Sequence, residues 1–428
     1  MRRCAVRKRS NSRGAYARKR KEQIKICVNP YKLKISVREM AVTNIRFNHD
    51  TGASTNDALN IRASYAAAFD LTHGEWSTNT TAEVPPLPVC YTTNRSVTVL
   101  ARLTVSPDIT NAVIWADNVV TNGSLGGIAK TNLTFANGVS VGDPDGYVTL
   151  TLTGRTPDCV KKTATDDWVF KTDAINGVPT TPGAFAQTHP ITVYTVFSEP
   201  LAPWTNAVGM ASNPWTNALD HACTWAGGAT TEHNALYAVT ASLFWGHGMK
   251  YDTTNGAPHY AESSYGGVMN LTAYMNKVSV KTNPTTGIVN CYDQAAAVCS
   301  FGTLLGIDVK YNFMQPFGYI NRVNLVGVGD CNNPFFNRVR RPLPVANRIP
   351  LLNAPTGDTD LTEPNRSGFG NHAFAVFNGY VFDACAGPSL GKPIAQYITD
   401  TIDKSTPTEQ GVAGDSSAIT EEAVTGLQ

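Results

Sequence analysis

The sequence predicts a multidomain chain: an all-β sandwich in its first half, then an α+β domain. Three observations carry this. Charged residues are only 16% of the 428, against about 25% in an average globular chain, so the surface is polar but weakly charged. Over residues 45–197 short alternating runs are separated by Asn, Gly and Pro clusters, the chemistry of strands and turns. Farther on the apolar period becomes helical and then returns to a hairpin, and a chain of this length has room for two cores.

Residues 1–34 hold 13 Lys and Arg and a single acid, Glu22, which leaves the rest with 22 bases, 32 acids and a net charge of about −10. Such an arm is suited to nucleic acid or an acidic surface, the one route to a nucleic-acid partner here. It lacks the apolar core of a secretory signal. Met40 opens Met-Ala-Val-Thr-Asn-Ile-Arg-Phe, a natural start for a folded domain. Residues 1–39 therefore read as a basic, disordered arm or as a start assigned too early.

The sandwich is expected over 40–198. Residues 147–153, Tyr-Val-Thr-Leu-Thr-Leu-Thr, alternate cleanly after the turn Gly142-Asp143-Pro144-Asp145-Gly146, and 101–105 and 191–197 read the same way. Their regular spacing is immunoglobulin-like. Pro200 and Pro203 break any element, which makes 199–215 a linker and 216–403 the second domain. There Glu232 to Trp245 is a helix with Leu236, Val239, Leu243 and Phe244 on one side. A second helix begins near Cys291 and stops at Gly306, with Ala295, Val298, Gly302 and Leu305 inward. After Thr401 the chain turns polar and loses aromatics, so 404–428 reads as a disordered tail.

No apolar run approaches the roughly 20 residues of a membrane helix. Nine scattered cysteines do not form a disulfide framework, and six Asn-x-Ser/Thr sequons matter only in a glycosylating compartment. The cytoplasm is the expected compartment, with release by a signal-independent route as the alternative.

Residues 371–383, Asn-His-Ala-Phe-Ala-Val-Phe-Asn-Gly-Tyr-Val-Phe-Asp, carry the chemistry. Apolar alternation around Asn378-Gly379 signals a hairpin with a two-residue turn. That turn pairs Phe377 with Tyr380 and Val376 with Val381, and by extension Phe374 with Asp383 and His372 with Cys385. His372 and Asp383 then share a face as diagonal neighbours, about 7–8 Å apart. An acid holding a histidine is the second half of a nucleophilic triad. Cys291 supplies the missing half, because a helix N-terminus favours the thiolate and offers N–H groups to an oxyanion.

Cys291 opening an alanine-rich helix that ends in Leu-Leu-Gly-Ile, then His372-Ala373-Phe374 and Val381-Phe382-Asp383, resembles the transglutaminase-like superfamily over residues 215–400. The resemblance implies a papain-like α+β scaffold with Cys291, His372 and Asp383 as catalytic residues, and neither cofactor nor metal. It implies amide-bond chemistry on a peptide or protein substrate through an acyl-enzyme thioester. Hydrolysis, as by a peptidase or amidase, is the expected outcome. Crosslinking by a transglutaminase is the alternative, and an inactive binding protein the reading from another class. Phe374 stands where the family usually has tryptophan. Trp245 reads as core packing or, by the resemblance, as an indole donor to the oxyanion. Asn371 and Asp293 are the alternative third members. A lone cysteine in an apolar helix more often packs than reacts, which is the reading for Cys299. A metal site of Cys291, His372, Asp383 and Cys385 is conceivable, but no Cys-x-x-Cys or His-Glu-x-x-His spacing supports it.

Overall fold

The computed structural model describes residues 38–47, 49, 57–65, 75–78, 87–120, 125–205, 213–278, 287–337, 367–387, 389–403 and 418–428. The basic stretch 1–34 lies outside them, and the first described strand is Met40–Arg46. The fold is mostly β-sheet, with five helices among the described residues: α1 (Thr216–Trp225), α2 (Glu232–Trp245), α3 (Leu271–Val278), α4 (Cys291–Leu304) and α5 (Ile394–Thr401). None is long and apolar enough to cross a membrane.

In the first half, alternation drives the layering. Strand Ser96–Val105 turns Val97, Val99, Ala101 and Leu103 inward and its other residues outward, as a half-buried antiparallel strand should. It belongs to a nine-stranded sheet, and a separate three-stranded sheet joins Val89–Thr92, Ile191–Val196 and Lys161–Asp166. Strands Val89–Thr92 and Ile191–Val196 of the small sheet are largely buried on both faces, whereas Lys161 and Lys162 of its third strand are exposed. Val89, Tyr91, Ile191 and Val193 pack with Val97, Trp168 and Phe170 in one core. Cys90, Tyr194 and Val196 pack with Ala218, Leu219 and Ala222 of α1 in the other. Apolar residues at both parities of Ile191–Val196 follow from this.

The stretch 199–215, expected as a linker, is anchored in the core by its tryptophans where it is described. Trp204 and Trp215 are fully buried and meet edge to face, 5.2 Å between centroids. Trp204 Nε1 donates to the Ser300 carbonyl of α4 at 2.8 Å, and the Leu201 N–H to that of Thr303 at 3.0 Å. The chain from Glu39 to Gln428 is accordingly one compact unit.

The second half is a seven-stranded sheet with helices against it. In order its strands are Ala261–Ser263, Gly266–Met269, Ala418–Leu427, Lys310–Gln315, His372–Phe377, Tyr380–Asp383 and Ser389–Pro393. Strand Ala418–Leu427 corrects the expectation of a disordered tail, of which 404–417 lies outside the described residues. It pairs in parallel with Gly266–Met269 and antiparallel with Lys310–Gln315. Only Val424, Gly426 and Leu427 are buried. Two backbone ladders, rather than an apolar side-chain pattern, hold the strand, so composition could not show it.

Helix α4 is the second half's central element. Every residue of it except Tyr292 is buried, so its apolar residues face the core all round and its polar ones need internal partners. Gly302 shows the closeness: a Cβ there would lie 2.6 Å from Val309 Cγ1 and 2.9 Å from Leu236 Cδ2. The helix ends where the sequence places the stop, with Gly306 at φ +80° just past the cap.

Candidate active site

The start of α4 is fixed by side chains. Asn290 caps the helix by accepting the Asp293 N–H at 3.0 Å, while Asp293 accepts the Asn290 N–H at 3.1 Å. This reciprocal box sets Cys291 as the first helical residue. Asp293 also accepts the N–H groups of His259, Tyr260 and Ala261. Burial pushes its pKa up, and those N–H groups oppose the shift. Both of its oxygens are thus committed to backbone. Asn371 accepts from the Tyr292 hydroxyl. The two alternative third members are therefore engaged elsewhere.

His372 opens the strand between Lys310–Gln315, where it pairs with Met314, and Tyr380–Asp383. The hairpin turns at Asn378 (φ +50°) and Gly379 (φ +80°), both left-handed as a type I′ turn requires. Its ladder runs Phe377–Tyr380, Val376–Val381, Ala375–Phe382. The extension to Phe374–Asp383 and His372–Cys385 is not part of that ladder. Instead the chain bends after Asp383, whose Oδ1 accepts the N–H groups of Cys385 (2.7 Å) and Ala386 (3.2 Å). An aspartate that satisfies backbone donors two and three residues on forms a local turn.

This bend aims the other carboxylate oxygen at the histidine. His372 Nε2 lies 2.9 Å from Asp383 Oδ2, and the Tyr397 hydroxyl donates to that same oxygen at 2.6 Å. His372 is fully buried, and Phe317, Phe369 and Phe374 surround its ring at 4.6, 5.0 and 6.1 Å. Burial alone would depress its pKa. The Asp383 charge first, then Cys291 and the hydrogen bonds of both groups, outweigh burial and push it up to about 10. Cys291 is the group on the Nδ1 side, and its contact with Nδ1 falls short of full hydrogen-bond geometry. With Nε2 held by Asp383, Nδ1 is the nitrogen available to the thiol. Cys291 itself is only 3% exposed.

Among the described residues no three His, Cys, Asp or Glu side chains group as metal ligands. Cys385 is fully buried, its thiol pushed well up by burial and then by the Asp383 charge, and burial likewise raises that of Cys299. Trp245 departs from the packing expectation: it ends α2 and is 61% exposed.

Two residues that pattern reading does not reveal complete the site. Tyr397 sits on α5 against Phe374, 5.1 Å between centroids. Gln294, one turn into α4 and fully buried, accepts from the Tyr274 hydroxyl at 2.6 Å and donates to the carbonyls of Leu243 (3.0 Å) and Ala384 (2.8 Å). It therefore ties the end of α2 and the turn after Asp383 to the helix of Cys291. Its polarity inside an apolar helix is the only sequence signal. Gln294→Leu strips three buried groups of a partner and is expected to cost about 2–4 kcal/mol of stability, read from denaturant unfolding. Unchanged unfolding would show that these groups find water instead.

No protein-family model matches this chain. No curated protein matches it either. Among solved structures, the crystal structure of red sea bream transglutaminase is similar, at 11% identity and a TM-score of 0.31. The match covers 74% of this chain and 53% of that one. The resemblance is weak: a β-rich arrangement of several sheets. This chain spans about half the length of that transglutaminase, and a likeness of this size says nothing about chemistry.

Proposed function

We propose that this chain is a cysteine-dependent amide hydrolase acting on peptide or protein substrates. One observation carries the reading: His372 gives Nε2 to Asp383 and leaves Nδ1 to face Cys291, which heads a capped helix and interacts with the same ring. The Cys291 thiolate attacks the amide carbonyl, and the carbon becomes tetrahedral. The Asn290 cap takes the Asp293 N–H, which leaves those of Cys291 and Tyr292 as helix-end donors for the oxyanion. The His372 imidazolium passes its proton to the leaving amine as the C–N bond breaks, leaving a thioester. Water, deprotonated by His372, then releases the acid and regenerates the thiol pair. Asp383 orients the ring and favours its charged form.

A lysine amine in place of water would make the same thioester a crosslink. Hydrolysis is the preferred outcome because the sequence carries no signature of a second, acceptor-binding groove. The reading as an inactive binding protein also has a specific observation behind it: Cys291 and His372 are almost wholly buried in this conformation.

A thiol-directed activity probe separates the two. Mass spectrometry should find the label on the Cys291 peptide of the wild type, and Cys291→Ala should lose it. Cys159, which is half-buried, serves as the internal control for unspecific reaction. Equal labelling of both proteins would leave Cys291 inert and favour the binding protein. Release of a labelled amine, against its incorporation in the presence of a primary amine, then distinguishes hydrolysis from crosslinking.

A further inference from the structure

We propose that Tyr397 is the positioning residue of this site, its hydroxyl fixing the Asp383 carboxylate in the rotation that presents Oδ2 to His372. The proposal deepens the reading above, since it takes Asp383 as the partner of the histidine. Four donors converge on this carboxylate, two on each oxygen. Oδ1 receives the N–H groups of Cys385 and Ala386; Oδ2 receives His372 Nε2 at 2.9 Å and the Tyr397 hydroxyl at 2.6 Å. The two backbone N–H groups hold Oδ1 and so limit where Oδ2 can lie; Tyr397 adds a donor on Oδ2 itself, from an element separate from that turn.

The element is fixed independently of Asp383. Tyr397 is buried and its ring packs on Phe374. Asn321 holds the C-terminal end of α5: its Nδ2 donates to the carbonyls of Thr399 (3.3 Å), Asp400 (3.1 Å) and Ile402 (3.1 Å), and its N–H to that of Thr401 (2.8 Å). These contacts satisfy carbonyls that a helix end otherwise leaves unpaired.

The titratable groups facing Asp383 are His372 on the adjoining strand, Tyr397 on α5, Cys385 in its own turn and Cys291 on α4. Burial, and after it the Asp383 charge, pushes the Tyr397 hydroxyl well above its usual range. It is a neutral donor wherever the imidazole titrates. By donating to Oδ2 it draws on the same negative charge that stabilises the imidazolium.

Tyr397→Phe keeps the ring and its packing and removes one donor. His372 is then expected to hold its proton to a pH about one unit higher, and turnover to fall about tenfold with KM nearly unchanged. The decisive measurement is a nitrogen-15 NMR titration of His372, assigned with His372→Gln, in the wild type and in Tyr397→Phe, each also carrying Cys291→Ala. It needs no turnover. An upward shift supports the proposal even if the probe experiment shows Cys291 to be inert, in which case only the enzymatic reading fails. An unshifted titration, with or without a lower melting temperature, overturns it and leaves Tyr397 a packing residue.

Discussion

Asp383→Asn is expected to lower turnover by about 10²–10⁴-fold, by analogy with a triad that loses the acid orienting its histidine. The pH profile should change with it. In the native protein burial works against a charged His372, and the Asp383 charge, with help from Cys291, pushes its pKa up to about 10. An asparagine removes the largest raising influence and leaves burial in place. The imidazolium then deprotonates at lower pH, and the alkaline limb of the activity bell moves down. That bell belongs to the cysteine–histidine pair and not to either residue alone. Stability follows the same sign. A histidine whose folded pKa is raised from 6.5 to about 10 contributes stability that is complete below pH 6.5 and lost as pH rises through 10. The native protein should therefore exceed Asp383→Asn most at neutral pH and below, and the gap should narrow towards pH 10. Matching rates and pH profiles for the two proteins, with Cys291→Ala still dead, would show that the third member is misassigned.

Deleting residues 418–428 is expected to abolish folding of the second half. Strand Ala418–Leu427 lies between Gly266–Met269 and Lys310–Gln315, so its loss strips backbone groups on both neighbours of their partners and opens two sheet edges inside one sheet. Gln428 also ties down the next element, since its N–H donates to the Met269 carbonyl and its carbonyl accepts from the Thr272 N–H at the head of α3. The truncated chain should appear in the insoluble fraction, or melt far below the full chain by circular dichroism. A soluble product with an unchanged melting temperature would show the strand to be dispensable. A milder probe, Thr420→Pro, interrupts the ladder opposite Phe313 and should lower the melting temperature without removing any apolar contact.

What the sequence could show divides along physical lines. The hairpin turn was legible because Asn378-Gly379 is local chemistry: two left-handed residues have few alternatives. The stop of α4 was legible for the same reason, from Gly306, and its start was placed near Cys291, while the Asn290–Asp293 box that fixes that start came only from the structure. Asp383 was placed by hairpin register, yet its approach to His372 depends on a turn made by its own side chain, which breaks that register. Tyr397 gave no signal, because an aromatic on an amphipathic helix looks the same whether its hydroxyl is spent on water or on a buried carboxylate. Strand Ala418–Leu427, with Glu421 and Glu422 at its middle, reads as solvated until its backbone partners are known.

The three-stranded sheet of Val89–Thr92, Ile191–Val196 and Lys161–Asp166 works as a party wall. One side furnishes the core of the large sheet, the other the core around α1 and α4. Neither room can be demolished while the other stands, because removing either leaves Val193 or Tyr194 facing water. Any duplication, truncation or transplantation of the second half has to carry this wall along. The inheritable unit that holds Cys291, His372 and Asp383 is therefore larger than the sheet and helices on which those residues sit.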